Sequence, residues 1–260
     1  SMEQKNMDYT SREMMAIMAA REIEDGSIVF CGTGISMLAA IAAKKITSPN
    51  CVIFFETGAV DSRLEEIPLV VSDPRVMYGA SSTTGMLDAF AAMQNRIIGQ
   101  YVVGILGAGQ IDKFGNLNTT CIGPYEQPRI RFPGSGGGCD VTSFVPQSII
   151  FMQQQKRKFV KKLDYLTSPG YLDGPGGREN AGLPPGGPSV VITNMATFRF
   201  DEASKEMYLQ STYPGIQTEQ VLAEMEFEVD ASRAKEEIPP SEYELQILRE
   251  KCDPQRLICN

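Results

Sequence analysis

Histidine is absent from this chain of 260 residues. A Ser-His-Asp or Cys-His catalytic arrangement therefore cannot be built from this chain alone. The usual histidine-containing zinc sites are excluded for the same reason. Any acid, base or nucleophile must be a carboxylate, a lysine, a tyrosine, a cysteine or a hydroxyl, unless a partner chain supplies it.

The sequence also lacks any C-x-x-C pair. Its six cysteines are spaced irregularly, and several lie inside apolar segments, where a reduced cysteine behaves as a small hydrophobic residue. This pattern favours a reduced, cytoplasmic protein, and it contains no all-cysteine metal site. We expect no bound metal and no permanently bound cofactor.

Long hydrophobic runs and an excess of positive charge are missing as well. No apolar run approaches the roughly 20 residues that span a bilayer, and the polar N-terminus predicts no secretion signal. The 24 basic and 32 acidic residues give a net charge of −8. A negative protein repels phosphate backbones, so neither a membrane nor a nucleic acid is expected as a partner.

Hydrophobic residues make up 42% of the chain, which is enough for a sizeable core. Thr10 and Glu13 form a capping-box pattern that opens a helix, and Gly26 is expected to end it. A strand over residues 27–31, a Gly-Thr-Gly turn, a helix over residues 35–44 and a second strand follow. This β-turn-α-β order predicts an open, mostly parallel α/β sheet flanked by helices, and we treat residues 1–260 as one domain.

Further along the chain, similar patterns predict a helix over residues 86–94 and strands over residues 101–106, 147–152 and 189–193. A hairpin follows over residues 197–211, then helices over residues 218–225 and from Ser241 onward. The segment 168–188 holds seven glycines and five prolines, so it is either a flexible linker or a structured loop that covers a neighbour.

Glu56 follows an apolar run, Val52 to Phe55, that has the composition of a buried strand. The carboxyl ends of parallel strands are where open α/β sheets bind their ligands. Because an unpaired charge is costly to bury, Glu56 either caps a turn or takes part in chemistry.

Three other segments are candidates for binding. The glycines around Gly136, Gly137 and Gly138 can turn their N–H groups toward an anion, although a flexible turn is the simpler reading. Gln110, Asn116 and Asn118 follow a strand and could face its ligand cleft, or they could serve only as turn residues. The basic run at residues 156–162 could meet phosphates or form a solvated face.

Four stretches together resemble the β subunits of class I CoA-transferases, in particular the glutaconate type. They are ETGAVD (residues 56–61), GAGQIDKFGNLN (107–118), RFPGSGGG (131–138) and YLTSPGYLDGPGGRE (165–179), and they span most of the chain in the family's order. The broader family often has Ser-Glu-Asn-Gly where this chain has Phe55-Glu56-Thr57-Gly58. Glutaconate-type members resemble the latter form.

This resemblance implies an α/β fold, an α subunit as partner, and a coenzyme A thioester as substrate. It implies that Glu56 attacks the acyl-CoA and that CoA moves between short carboxylic acids, such as glutaconate-like dicarboxylates, in a ping-pong reaction through a glutamyl-CoA thioester. The backbone of Gly136 to Gly138 would stabilise the oxyanion. Two alternatives stay open: a CoA-thioester or ring-opening hydrolase with Glu56 as base, and a non-catalytic subunit that completes a CoA cleft.

Overall fold

The computed structural model describes residues 8–260 and contains seven α-helices within that range. They are α1 (Ser11–Arg21), α2 (Ile35–Ile46), α3 (Met86–Gln94), α4 (Gly138–Phe144), α5 (Gly177–Asn180), α6 (Thr218–Ala223) and α7 (Glu242–Ile247). A π-helical turn, Leu248–Cys252, continues α7, and two short 3-10 helices are formed by Pro74–Met77 and Gly99–Tyr101.

The same residues form fourteen short strands. They are β1 (Ile28–Cys31), β2 (Val52–Phe54), β3 (Ala59–Val60), β4 (Ser82–Thr83), β5 (Val102–Gly107), β6 (Gln110–Ile111), β7 (Leu117–Asn118), β8 (Cys121–Ile122), β9 (Ile130–Arg131), β10 (Gln147–Phe151), β11 (Pro188–Ile192), β12 (Ala196–Phe200), β13 (Met207–Thr212) and β14 (Lys235–Glu236).

Ten of these strands make one sheet in the order β14-β13-β12-β11-β10-β5-β1-β2-β3-β4. Its centre, from β11 to β2, is parallel throughout, and antiparallel strands extend it on both sides. The predicted open, mostly parallel α/β sheet is therefore confirmed. The carboxyl ends of β2, β1, β5 and β10 meet along one edge of the sheet, and the candidate site lies at this edge.

Alternate residues of β1 point to opposite faces of the sheet. Val29 and Cys31 belong to the core cluster that includes α1 and α2, whereas Phe30 packs with Phe54 and with Ala89 of α3 in a separate cluster. The Phe30 and Phe54 rings meet edge to face with centroids 5.2 Å apart. Helices thus cover both faces of the parallel strands, as a sheet buried on both sides requires.

Most predicted elements are present, although several bounds differ by one or two residues and several short elements were not predicted. The Thr10–Glu13 capping box forms as predicted, but α1 ends at Arg21 rather than at Gly26, which lies in the turn before β1. Helix α6 ends at Ala223 instead of residue 225. Helix α4 was not predicted, because its first residue is the last of a glycine run whose intrinsic helix propensity is low.

No helix formed by residues 8–260 has the length and apolar composition needed to cross a membrane. The polar residues 1–7, which contribute to the prediction that no secretion signal is present, lie outside the described part of the chain.

Candidate active site

Glu56 lies at the tip of a tight turn between β2 and β3. The Phe55 side chain before it is fully buried and anchors the turn in the core. The N–H of Gly58 donates to the carbonyl of Phe55 at 3.0 Å, and the N–H of Phe55 donates to the carbonyl of Ala59 at 3.0 Å. Gly58 has a φ of +88°, which glycine adopts without a steric penalty. The turn therefore holds Glu56 on a short and well-braced segment.

The Glu56 side chain lines a cavity of about 310 Å³ at the carboxyl ends of β1, β2 and β5. Within the described part of the chain, the Glu56 carboxylate forms no hydrogen bond and no ion pair. A half-buried carboxylate without a protein partner is unusual for a residue that only caps a turn. The structure thus leaves this carboxylate available to a ligand in the cavity.

The glycine segment lies in the same cavity, which Ser135, Gly136, Gly137 and Gly138 help to line. The N–H of Gly138 already donates to the carbonyl of Ser135 at 2.9 Å. The N–H groups of Gly136 and Gly137 have no partner within residues 8–260. The three glycines named from the sequence are therefore not equivalent, and only two of them offer free donors beside Glu56.

Helix α4 directly follows these glycines, and a buried arginine fixes its far end. Arg178 is only 6% exposed and forms no ion pair with a carboxylate among residues 8–260. Its guanidinium donates to the carbonyls of Thr142 (3.1 Å) and Ser143 (2.9 Å) in α4, and to that of Gly170 (2.9 Å). A cation at the carboxyl end of a helix is favourable. Arg178 thereby ties the glycine segment's helix to the loop that contains Gly170.

The start of helix α2 forms another wall of the cavity, through Gly32, Thr33 and Ser36. Its N-cap residue, Gly34, provides no side-chain hydrogen bond to the first turn. The unpaired N–H groups and the dipole of this helix favour negative charge at that end. This helix end therefore contributes a positive potential to the cavity, although no basic side chain is among the lining residues.

Two hydroxyl residues in the cavity were not singled out from the sequence. The Oγ1 of Thr119 is buried and has no hydrogen-bond partner within the described residues. Ser168 is 2% exposed and also lines the cavity. Both could pair with polar groups of a ligand. Their sequence signal is weak, because neither follows a strand of the parallel sheet.

Cys31 is another potential nucleophile in the cavity wall. It is 1% exposed, and burial raises the pKa of its thiol far above the ordinary value. The thiol is therefore neutral, and only the thiolate is an effective nucleophile. Of these two side chains, Glu56 is therefore the better candidate for the nucleophile.

Gln110 and Asn118 do not line this cavity. The Nδ2 of Asn118 donates to Gln110 Oε1 and to the carbonyl of Cys121, both at 2.7 Å. Gln110 Nε2 donates to Asp164 Oδ2 at 2.6 Å. The two side-chain amides therefore have protein partners. Their hydrogen bonds stabilise the segment whose Leu117 and Thr119 side chains line the cavity.

Asn116 is also satisfied within the protein and lies outside the cavity lining. Its Nδ2 donates to Asp112 and to the carbonyl of Leu172, both at 2.9 Å, while its Oδ1 accepts from the N–H groups of Gly170 (2.8 Å) and Leu172 (3.0 Å). The segment 168–188 is thus a structured loop, anchored by Asn116 and Arg178, and not a flexible linker.

No group of three or more histidine, cysteine, aspartate or glutamate residues within 8–260 is arranged to hold a metal ion. The chemistry of the cavity is that of a free carboxylate, two free backbone donors, a helix N-terminus and several hydroxyl groups.

Comparisons with known proteins all indicate the same family. The model of the coenzyme A transferase family matches residues 12–224. The chain is 39% identical to the B-type subunit of glutaconate CoA-transferase from Acidaminococcus fermentans, over 95% of this chain and 94% of that protein. It is 35% identical to the B-type subunit of 3-oxoadipate CoA-transferase from Pseudomonas knackmussii, over 93% and 92% of the two chains.

The fold agrees with this assignment. The crystal structure of glutaconate coenzyme A-transferase from Acidaminococcus fermentans superposes with a TM-score of 0.94 at 38% identity and covers 97% of this chain and 98% of that chain. The resemblance seen in four sequence stretches is therefore confirmed over nearly the whole chain. The chain belongs to the coenzyme A transferase family and is a class I CoA-transferase subunit of the B type.

Proposed function

We propose that this chain is the catalytic subunit of a heteromeric CoA-transferase that moves CoA between short dicarboxylic acids through a glutamyl-CoA thioester on Glu56. The observation that carries this proposal is the shared cavity of Glu56, whose carboxylate has no protein partner, and the free N–H groups of Gly136 and Gly137. A free carboxylate beside free donors is the arrangement that attack on a thioester requires.

The reaction begins when Glu56 attacks the carbonyl carbon of the acyl-CoA. The carbon–sulfur bond breaks, giving a mixed anhydride on Glu56 and a CoA thiolate. The thiolate then attacks the glutamyl carbonyl of the anhydride, which releases the first carboxylate and leaves a glutamyl-CoA thioester. A second carboxylate reverses these steps and departs as its CoA ester. No proton is transferred overall, so the absence of histidine is no obstacle.

Each attack produces a tetrahedral oxyanion that needs hydrogen-bond donors. The N–H groups of Gly136 and Gly137 are suited to this role, and such donors contribute about 3–4 kcal/mol each to transition-state stabilisation in comparable sites. The start of α2 adds a favourable field for the departing thiolate.

Two properties of the relatives support the choice of substrate and partner. Glutaconate and 3-oxoadipate, which the two related enzymes are named for, are both short dicarboxylates. Both relatives are B-type subunits, so we assign this chain an A-type partner subunit. The partner's cover over the cavity would exclude water from the anhydride and the thioester.

The six cysteines are all free, which agrees with a reducing, cytoplasmic location.

Trapping the intermediate tests this function. The complex of this chain with its A-type subunit is incubated with glutaryl-CoA, then treated with borohydride, and Glu56 is examined by peptide mass spectrometry. We expect Glu56 to be reduced to the corresponding alcohol. Glu56→Gln should lose at least about 1,000-fold in turnover, as expected for a missing nucleophile. Glu66→Gln, which removes a carboxylate in an exposed ion pair, is the control.

Two results would contradict the proposal. Hydrolysis of the acyl-CoA with no modification of Glu56 would indicate a hydrolase that uses Glu56 as a base. Unchanged turnover in Glu56→Gln would indicate that this chain only completes a cleft.

A further inference from the structure

Exposed apolar side chains are concentrated at one end of the sheet. Sixteen large hydrophobic side chains are exposed among residues 8–260, and nine of them lie within residues 69–101, the stretch that contains β4 and α3. Strand β4 is the last strand at that end of the sheet. Large exposed apolar surfaces on a folded chain mark sites of interaction. We call the part formed by Met86, Leu87, Ile97 and Ile98 the α3 surface.

Charge is nearly absent from the same stretch. Residues 69–101 contain two acidic and two basic residues, so their net charge is zero in a chain whose net charge is −8. Asp73 and Arg75 form an ion pair with each other, and Asp88 accepts a hydrogen bond from the hydroxyl of Thr84. The core of a protein–protein interface is depleted of charge in this way. The stretch therefore suits an apolar protein surface rather than a charged ligand.

Helix α3 has a partner on only one of its sides. Ala89 and Met93, one turn apart, are its only buried residues and pack in the cluster that contains Phe30. Leu87 and Ala91, also one turn apart, are exposed on the other side. A helix of nine residues depends on packing for its stability, so a partner on the outer side would hold it more firmly.

The area and the place of this surface favour an A-type subunit as its occupant. The nine exposed side chains present roughly 1,000 Å² of surface, and one partner in a stable complex buries about 800 Å². Val71, within the same stretch, lines the Glu56 cavity. A subunit docked here therefore adjoins that cavity, which is where the proposed reaction needs a cover against water.

The amino end of α3 is bonded to the turn that carries Glu56. The N–H of Thr84 donates to the carbonyl of Gly58 at 2.9 Å. The hydroxyl of Thr84 donates to Asp88 Oδ2, in the first turn of α3, also at 2.9 Å. A displacement of α3 is therefore passed to Gly58 through a single residue.

The side chains of the turn do little to fix its position. The Glu56 carboxylate has no protein partner, and the buried Oγ1 of Thr57 has no hydrogen bond among the described residues. The position of the turn thus depends on the buried Phe55 and on backbone hydrogen bonds, one of which comes from Thr84.

We infer that the A-type subunit docks on the α3 surface and that this docking, through α3 and Thr84, fixes the position of the Glu56 turn. The free chain keeps its fold, but its Glu56 turn moves more than it does in the complex. A partner shifts such an equilibrium by binding one arrangement of α3 better than the others. The inference rests on the proposed function for the A-type partner and for the role of Glu56.

The opposite end of the sheet provides a matched control for docking. Leu87 is 84% exposed on the α3 surface, and Ile238 is 72% exposed just after β14, the first strand in the order of the sheet. Leu87→Ser and Ile238→Ser each remove one exposed aliphatic side chain. Circular dichroism should show that both variants are folded.

The first measurement is the calorimetric affinity of each variant for the A-type subunit. We expect Leu87→Ser to weaken binding at least about tenfold, as loss of an apolar side chain in the centre of an interface does, and Ile238→Ser to leave it unchanged. Equal affinities of the two variants would overturn the docking site. Self-association of the free chain that Leu87→Ser abolishes would also overturn it, because a second copy would then be the occupant.

The second measurement is hydrogen exchange followed by mass spectrometry, in the free chain and in the complex. We expect the amides of residues 54–60 to exchange at least about tenfold more slowly in the complex, whereas the Met14 amide, bonded to Thr10 in α1, is unaffected. Thr84→Val, which removes the hydrogen bond to Asp88, should keep the affinity for the A-type subunit within about twofold but lose most of this slowing. Slowing that persists in Thr84→Val, or none in the unmodified complex, would overturn the coupling.

Neither measurement requires turnover, so the inference and the proposed function can fail separately. The expected affinities and exchange rates in a complex without transferase activity would retain the inference and reject the proposed reaction. Normal transferase activity with equal affinities of Leu87→Ser and Ile238→Ser would reject the inference alone.

Discussion

Gly58 and Thr84 touch through their backbones. The N–H of Thr84 donates to the carbonyl of Gly58 at 2.9 Å, and a Cβ atom added to Gly58 would overlap the carbonyl group of Thr84. Since Gly58 closes the turn that carries Glu56, this close approach links the position of the carboxylate to the strand β4 beside it.

Gly58→Ala should therefore displace the Glu56 turn. Both the positive φ of +88° and the overlap with Thr84 oppose an alanine at this position. We expect turnover to fall at least about 100-fold, because small displacements of a reacting group have effects of this size. Steady-state kinetics of the assembled enzyme would measure the loss.

Gly26→Ala is the matched control for this substitution. Gly26 has a similar φ of +85°, but a Cβ atom there would have open space around it, and it lies outside the Glu56 cavity. It should cost about 1 kcal/mol of stability from backbone strain and leave turnover unchanged. Equal losses of activity in both variants would show that the contact with Thr84 has no special role.

The sequence predicted the main helices and strands well because the sequence patterns that indicate them are local. The capping box of Thr10 and Glu13 and the bounds of α3 depend on neighbouring residues, and both agree with the structure. The position of Glu56 at a strand end also followed from a local pattern, an apolar run before a turn.

The features that sequence reasoning missed depend on distant contacts. Asparagine is common in turns, but the side-chain amide of Asn118 donates a buried hydrogen bond to Gln110. Gln110 in turn donates a hydrogen bond to Asp164. Gln110 and Asp164 are 54 residues apart in the sequence, so the direction of these side chains could not be derived from spacing. Helix α4 was missed for a related reason: its stability comes from packing, for example of Val141, rather than from propensity.

Arg178 should contribute to both stability and the geometry of α4. Arg178→Met leaves the carbonyls of Thr142, Ser143 and Gly170 without their donor in a buried region. Each unsatisfied group costs about 1–3 kcal/mol, so we expect a loss of about 3 kcal/mol or more in the free energy of unfolding. Urea-induced unfolding followed by circular dichroism would measure it.

A conservative substitution distinguishes the effect of the guanidinium geometry from the effect of positive charge alone. Arg178→Lys keeps the charge but cannot reproduce the fork of donors, so it should recover only part of the stability. Arg131→Met is the control, since Arg131 donates to one exposed carbonyl, that of Tyr125. A loss in Arg131→Met as large as that in Arg178→Met would contradict the importance of burial.

Glu13 should make the protein less stable in acid. Burial alone would raise the pKa of its carboxyl group, but hydrogen bonds from Arg249 and from the N–H of Thr10 outweigh that effect and hold the pKa below its ordinary value of 4.5. A carboxyl group whose pKa is lowered on folding stabilises the protein above the unfolded-state pKa. This stabilisation disappears as the pH falls through the folded-state pKa.

Glu13→Gln tests this pH dependence. At neutral pH it should lower the free energy of unfolding by about 3 kcal/mol, because it leaves Arg249 without its bidentate partner. Between about pH 5 and pH 3, the variant should lose less stability than the unmodified protein. Glu66→Gln removes a mostly exposed carboxylate and should change stability by at most about 1 kcal/mol. Parallel pH profiles for all three proteins would refute the assignment to Glu13.

Gly137 should be sensitive to substitution because of one aromatic ring. A Cβ atom on Gly137 would lie 2.5 Å from two ring atoms of Phe90, which itself packs against Phe30. Gly137→Ala must therefore move either the ring or the segment that presents the free N–H groups of Gly136 and Gly137. We expect kcat to fall about 100-fold, which is the effect of losing one oxyanion donor.

A second substitution identifies which contact is responsible. Phe90→Ala removes the clashing ring, so Gly137→Ala/Phe90→Ala should recover most of the lost kcat, although the cavity left by the ring should lower stability by about 3 kcal/mol. Phe90→Ala alone should keep near-normal kcat well below its melting temperature. Such recovery is a strongly non-additive interaction, as expected for two groups in direct contact. If the double variant were as impaired as Gly137→Ala, the methyl group itself, by blocking the substrate, would be the cause, and the role of Phe90 in positioning the glycine segment would be rejected.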